Sequence, residues 1–334
     1  MLPARRPAGA FASLIILLAV TLAACGGESG QSGAAQAAIE SPTPTLPRAT
    51  SLPATPTPLP PTPVPTPTPP PPGLQFKPPQ IVQGGVAIVY LNENATSATA
   101  TFGGRQYPML HDNGRWWTII GVGAFATPGL APVSVLYTPA GKTSSVSTVA
   151  SIVITKRDFP VENIQLDSQT ASLLAPEIVN AEIARRAAIF SGFTAQKMWN
   201  GVFQAPGRGP ISSIYGEGRS YNGAPVTDYH RGTDFAGEIG APVVAAAAGR
   251  IVFTGALRVR GNAIIIDHGS GVFTAYHHLS AISARDGQTV AMGERIGDIG
   301  STGLATGPHL HWDVVIRGVE VSGALFLDGK EIGP

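Results

Sequence analysis

Between Ile81 and Thr155 the chain alternates short β-branched runs with turn residues. VAIVYL, ATATF, RWWTIIGVGAF, APVSVLYT and VSTVASIVIT are separated by Asp112-Asn113-Gly114, Pro128-Gly129 and Pro139-Ala140-Gly141. Short strands at such spacing predict a small β-sandwich. In the pair Trp116-Trp117, one ring is expected in the core and the other over an edge, and His111 is expected at a turn. Near Ala175 the rhythm becomes helical. APEIVNAEIARRAAIF places Pro176 in the first turn and Glu177 at its negative start, and Ile178, Ala181, Glu182, Arg185 and Ala188 or Ile189 recur at helical spacing. After Trp199 strands return: APVVAAAAGRIVFTG, NAIIIDHG, GVFTAYHHL and HLHWDVVIRG, with DGQTVAMGERIGDIG expected to form a glycine-rich hairpin. The pattern is mostly β, a sandwich and a second β-rich domain joined by one helix.

The N-terminal quarter follows neither pattern. Arg5 and Arg6 precede an apolar stretch from Phe11 to Val20, which makes residues 1–24 an export signal. Leu22-Ala23-Ala24-Cys25 resembles a bacterial lipobox, which implies a lipidated Cys25, a membrane anchor and a chain facing the cell wall or periplasm. Cys25 is the one cysteine, so no intrachain disulfide can form. More than half of the 31 prolines lie in 41–79. Such a segment cannot bury a core, and 25–79 is expected to be a disordered Pro/Thr-rich stalk rising about 3.1 Å per residue where extended. The remaining boundaries are 80–156 for the sandwich, 157–205 for the linker with its helix, and 206–334 for the last domain. Charged residues are 13% and the net charge is +1, which argues against a nucleic-acid partner.

Six of the seven histidines fall between 230 and 311. His230 and Asp234 are four apart, so they share a face on a strand or on a helix. His309 and His311 are two apart and share a strand face. Two imidazoles and a carboxylate form a typical catalytic zinc set with a fourth position left for water. The spacing alone leaves open which of His309 and His311 is the ligand.

The motifs HRGTD (230–234), YHHL (276–279) and GPHLHWDV (307–314) resemble those of the M23 peptidases, the lysostaphin-type zinc endopeptidases of bacterial cell walls. ISSIYGEGRSYNG, GAPVVAAAAGRIVFTG and GERIGDIGSTGLATGPHLH are similar to the supporting text of that family, and the likeness covers 208–318. It implies a peptidase domain of the duplicated-hybrid-motif type, one Zn2+ per chain on His230, Asp234 and His311, and His278 and His309 as catalytic histidines. The substrate it implies is the peptide part of peptidoglycan. A non-catalytic LytM-like regulator of another wall hydrolase is the alternative, but such relatives lack the ligands present here. The hairpin text is also similar to biotinyl and lipoyl carriers, yet no lysine lies between Lys197 and Lys330 to carry the group. Within this frame His277 is expected to be exposed, on the face opposite His278. His268 is expected at a turn capped by Asp267. Asp313 is a candidate partner of a ligand imidazole, and Arg219 and Asn222 are candidate cleft residues.

Overall fold

The computed structural model describes residues 73–329. The export signal, Cys25 and the stalk up to residue 72 lie outside the described residues. The fold is mostly β. Two sheets build the N-terminal domain. One runs Leu74–Lys77, Val86–Leu91, Arg115–Gly121, Leu110–Asp112; the other runs Gln80–Val82, Val146–Thr155, Gly129–Pro139, Ala95–Phe102, Arg105–Pro108. Strand structure begins at Leu74, ahead of residue 80, because Leu74 is fully buried and its strand pairs with Val86–Leu91. Ala87, Val89, Ile119, Val133, Val135 and Ile152 fill the space between the sheets. Trp117 is buried with them and Trp116 packs half-buried on the same core beside the exposed His111 ring, so the tryptophan pair is structural.

The second domain is built on one large sheet. Its order is Ile211–Ser213, Thr233–Ala236, His309–Ile316, Val272–Leu279, Gly261–Asp267, Gly249–Leu257, Thr289–Val290, with Val319–Val321 pairing to His309–Ile316. The central strands are apolar on both faces because both are covered. The expected 286–300 hairpin does not form. Thr289–Val290 joins the large sheet, whereas Arg295–Asp298 pairs with Pro242–Val244 and Ala281–Ile282.

The two domains share one continuous core. Across their boundary Ser322 N donates to Gly84 O at 2.8 Å. The segment between the domains crosses in two pieces. Val161–Ile164 pairs in parallel with Gly218–Tyr221, setting Glu162 opposite Arg219. The helix Pro176–Phe190 follows, with Pro176 in its first turn. Its buried stripe is Glu182, Arg186 and Phe190, so of the expected rhythm Ile178, Ala181, Glu182, Arg185 and Ala188 or Ile189 only Glu182 is buried. The face that meets the second domain therefore carries two charges.

Candidate active site

Sheet register assembles the site. Asp234 lies directly opposite His311, and His311 lies directly opposite His277 on its other side. Three adjacent strands thus contribute a row of side chains to one face, with Asp313 two residues along the same face. His230 sits just before the Asp234 strand. Its N–H donates to Glu217 O at 2.7 Å and its carbonyl accepts from Gly216 N at 2.8 Å, which fixes the backbone beneath the imidazole.

The donor set fits a cation. His230 Nε2 lies 3.0 Å from Asp234 Oδ1 and 2.9 Å from His311 Nδ1, and His311 Nδ1 lies 2.9 Å from Asp234 Oδ1. Tetrahedral zinc with bonds near 2.0–2.1 Å has ligand–ligand edges of about 3.3 Å. The far nitrogens point the same way. His230 Nδ1 is 2.9 Å from Ile214 O, an obligate acceptor, so it carries the proton and leaves Nε2 as a lone pair. His311 Nε2 donates to Asp313 Oδ1 at 2.6 Å, which frees Nδ1 in the neutral ring. Two nitrogen lone pairs and a carboxylate oxygen then converge on one point, which requires a cation or a proton there.

His309 and His278 flank this point. His309 Nδ1 donates to Gly307 O at 2.9 Å, and His278 Nδ1 donates to Thr302 O at 2.7 Å. Both rings keep an unprotonated Nε2 in their neutral forms. Their centroids are 4.8 Å apart, and His309 Nε2 is 3.9 Å from Asp234 Oδ1.

His277 corrects an expectation. It is fully buried and donates from Nε2 to Asp313 Oδ2 at 3.1 Å. The cause is a β-bulge. Tyr276 pairs with Ile264 and Leu279 with Asn262, so His277 and His278 together oppose Ala263. The extra residue cancels the alternation and turns both histidines toward the site, with His278 in the left-handed region at φ +61°. His268 is also fully buried. Its Nδ1 donates to Ala248 O at 2.8 Å and its Nε2 meets Thr274 Oγ1 at 2.7 Å, away from the donor set. Asp267 Oδ1 accepts from Gly269 N at 2.8 Å and caps the turn there.

Asp313 is fully buried between the two histidines and Arg186, whose Nη2 donates to its Oδ2 at 2.6 Å. The linker helix therefore reaches the carboxylate that orients His311. Arg219 lines the cleft: it pairs with Glu162, its Nη2 donates to Ser213 Oγ at 3.1 Å, and the same nitrogen lies 3.7 Å from Asp234 Oδ2. Asn222 is not a cleft residue. It stands in a turn at φ +51°, and its side chain accepts from Leu166 N at 2.8 Å and donates to Leu166 O at 3.2 Å. Sequence reasoning missed three participants: Arg186, Glu182 and Gly232. The charged i,i+4 pair 182/186 on a helix face was the available signal for the first two. For Gly232, a Cβ would stand 2.5 Å from Trp312 O, 2.6 Å from Asp313 Oδ1 and 2.8 Å from His311 Nε2. Gly232→Ala is expected to lower stability by about 1–3 kcal/mol and to loosen metal retention; thermal melts and elemental analysis measure both.

Burial pushes His230 down to about 4 against the pull of Asp234, and burial with the nearby His309 and His311 holds His278 well below the ordinary range. Burial disfavours a charge on His311, but Asp313 and Asp234 outweigh it and raise its proton affinity. Burial would raise Asp234; hydrogen bonds from His230 and His311 outweigh that and hold it well below the ordinary carboxylate range. Away from the site, burial lowers His268 to about 4. A lowered histidine binds fewer protons folded than unfolded between pH 4 and about 6.5, so stability falls as pH falls through that window. For His268 the loss between pH 7 and 5 is about 2 kcal/mol. Urea midpoints of the wild type and of His268→Gln at the two pH values isolate it, and a pH dependence that the variant keeps in full contradicts it.

Residues 228–322 match the profile described as Peptidase family M23, and 79–147 match the Peptidase family M23 N-terminal domain. Peptidoglycan DD-endopeptidase ShyA of Vibrio cholerae is 46% identical over 93 residues, which is 28% of this chain and 22% of that protein. DD-carboxypeptidase/endopeptidase Mpg of Neisseria meningitidis is 50% identical over 93 residues, 28% of this chain and 21% of that protein. The matched part thus spans about a fifth of the length of these curated relatives. A solved structure described as a peptidase M23 of Pseudomonas aeruginosa is 29% identical, covers 75% of this chain and 96% of that one, and superposes with a TM-score of 0.56. The catalytic domain of lysostaphin from Staphylococcus simulans is 31% identical over 39% of this chain and 90% of that one, with a TM-score of 0.29.

Proposed function

The chain belongs to peptidase family M23, and from that premise we propose that it is a zinc-dependent endopeptidase that hydrolyses peptide bonds of bacterial cell-wall peptidoglycan. The observation that carries the proposal is the convergence of His230 Nε2, Asp234 Oδ1 and His311 Nδ1, each within 3.0 Å of the others. His230, Asp234 and His311 would hold the metal. When bound, zinc supplies a Lewis acid that brings the pKa of a water it holds to around 7. The curated relatives carry DD-endopeptidase names, so a peptide bond between two D-residues is the proposed target.

The remaining roles follow from tautomers. His278 and His309 both spend their Nδ1 protons on backbone carbonyls, so each presents Nε2 to the cleft as a base. His278 resists protonation, because burial disfavours the cation. It orients the attacking water by accepting a hydrogen bond. His309 is the more exposed ring and lies 3.9 Å from the donor oxygen. It takes the proton, then steadies the oxyanion and passes the proton to the leaving amine. Asp313 fixes the tautomer of His311, and Arg186 fixes Asp313. The expected export signal, lipid anchor on Cys25 and Pro/Thr stalk would place this site outside the cytoplasm, at a distance from the membrane.

Elemental analysis of the full chain purified without added metal tests the reading. About one zinc per chain is expected, falling as the buffer is taken from pH 7 to about 5, because protons compete for His311. A chain that folds but holds no zinc at pH 7 would overturn the enzyme reading in favour of a non-catalytic relative.

A further inference from the structure

Four arginines line the cleft beside the donor set: Arg186, Arg219, Arg231 and Arg260. Three are neutralised by protein carboxylates. Arg186 pairs with Asp313 and Glu320, Arg219 with Glu162, and Arg231 with Asp228 and Glu320. The remaining cleft acid, Glu182, is spent on backbone N–H groups, those of Val259 at 2.7 Å and Arg260 at 3.1 Å. Among the described residues, the Arg260 guanidinium has no hydrogen-bond or ion-pair partner.

Its base is rigid. Arg260 N–H is held by Glu182, and Arg260 O accepts from His278 N at 2.9 Å. Gly261 follows at φ +65°, so close to the neighbouring loop that a Cβ would stand 2.3 Å from Thr302 O. Leu304 N donates to Val259 O at 2.7 Å, tying the same loop to the other side of the turn. Thr302 O is also the acceptor of the His278 imidazole. The half-buried arginine therefore stands on the turn whose neighbours set a catalytic base.

An unpaired guanidinium rising from a fixed turn on a cleft wall is complementary to a carboxylate, which it can meet bidentately. We propose that Arg260 is a specificity residue that binds a free carboxylate of the peptide substrate near the scissile bond. The proposal rests on the D,D-peptidase reading only for the choice of probe.

The test compares an acyl-D-Ala-D-Ala peptide bearing a free C-terminal carboxylate with the same peptide as its C-terminal amide. Both are titrated into the zinc-loaded full chain carrying His309→Ala, to read binding without turnover, and both are offered to the wild-type chain. The acid is expected to bind about 10–100-fold more tightly than the amide. Arg260→Gln should collapse that ratio to near one, and Arg260→Lys should restore part of it. Because each variant is judged by a ratio, a general loss of affinity does not count as support. Equal binding of acid and amide by the chain with Arg260 intact overturns the proposal, whatever is cleaved. So does a ratio that survives Arg260→Gln, which would assign the carboxylate to the metal or another arginine. Preferential binding of the acid without cleavage of either peptide supports Arg260 while sinking the D,D reading.

Discussion

His311→Ala is expected to abolish zinc retention and turnover together. His311 is the centre of the donor row: its Nδ1 faces both Asp234 Oδ1 and His230 Nε2 at 2.9 Å, and its Nε2 is anchored to Asp313. Loss of an outer partner of a metal ligand costs about 10–100-fold in metal affinity, and that is the expected effect of Asp313→Asn. Loss of the ligand itself removes one of three protein donors and must exceed it. The fold should survive, because Asp313 keeps Arg186 and His277 as partners. Elemental analysis and circular dichroism of the purified variant read the two effects separately. A folded His311→Ala chain that still holds one zinc would show that the ligand set is misassigned.

His309→Ala is expected to give the opposite combination, a retained zinc and a kcat lowered by about 10²–10⁴-fold. His309 pairs through its backbone with Gly300 and Ala236, and its ring touches no ligand within hydrogen-bond distance. Its removal therefore leaves the donor set intact while deleting the group assigned to carry the proton. Loss of zinc in this variant would exchange the roles of His309 and His311. The contrast between two histidines two residues apart is the sharpest consequence of the geometry, since strand alternation gives them the same face but different depths.

Much of this site was legible because its parts obey simple periods. Even separations in HRGTD and HLH put Asp234 with His230 and His309 with His311 on common faces, and register then aligned the two motifs as neighbours. Pro176 marked the helix start for a local reason, a missing N–H where none is needed. Asp313 followed from alternation, although its complete burial did not, because burial depends on what covers the strand. Two features were illegible for stated reasons. The bulge at His277-His278 breaks the period on which the face assignment rested, and nothing in YHHL announces an extra residue against Ala263. The covering helix brings Arg186 to Asp313 across 127 residues of sequence, a contact that only tertiary packing specifies. Asn222 failed as a cleft residue because a turn at positive φ already accounts for an asparagine.

Glu182 and Arg186 also change what the linker is. A helix chosen only to span two domains would bury apolar residues. This one buries a carboxylate against the Val259–Arg260 turn and a guanidinium against Asp313, which also holds His311. Removing one member of such a buried pair costs about 3–5 kcal/mol, because its partner is left uncompensated. The linker is therefore part of the site's scaffold.

The most direct test of the central claim is mass analysis of the peptides released when the zinc-loaded full chain is incubated with purified peptidoglycan. New free amines and shortened or uncrosslinked stem peptides are expected, lost on chelation and in His309→Ala. Intact peptidoglycan after incubation with a chain that carries one zinc would contradict it.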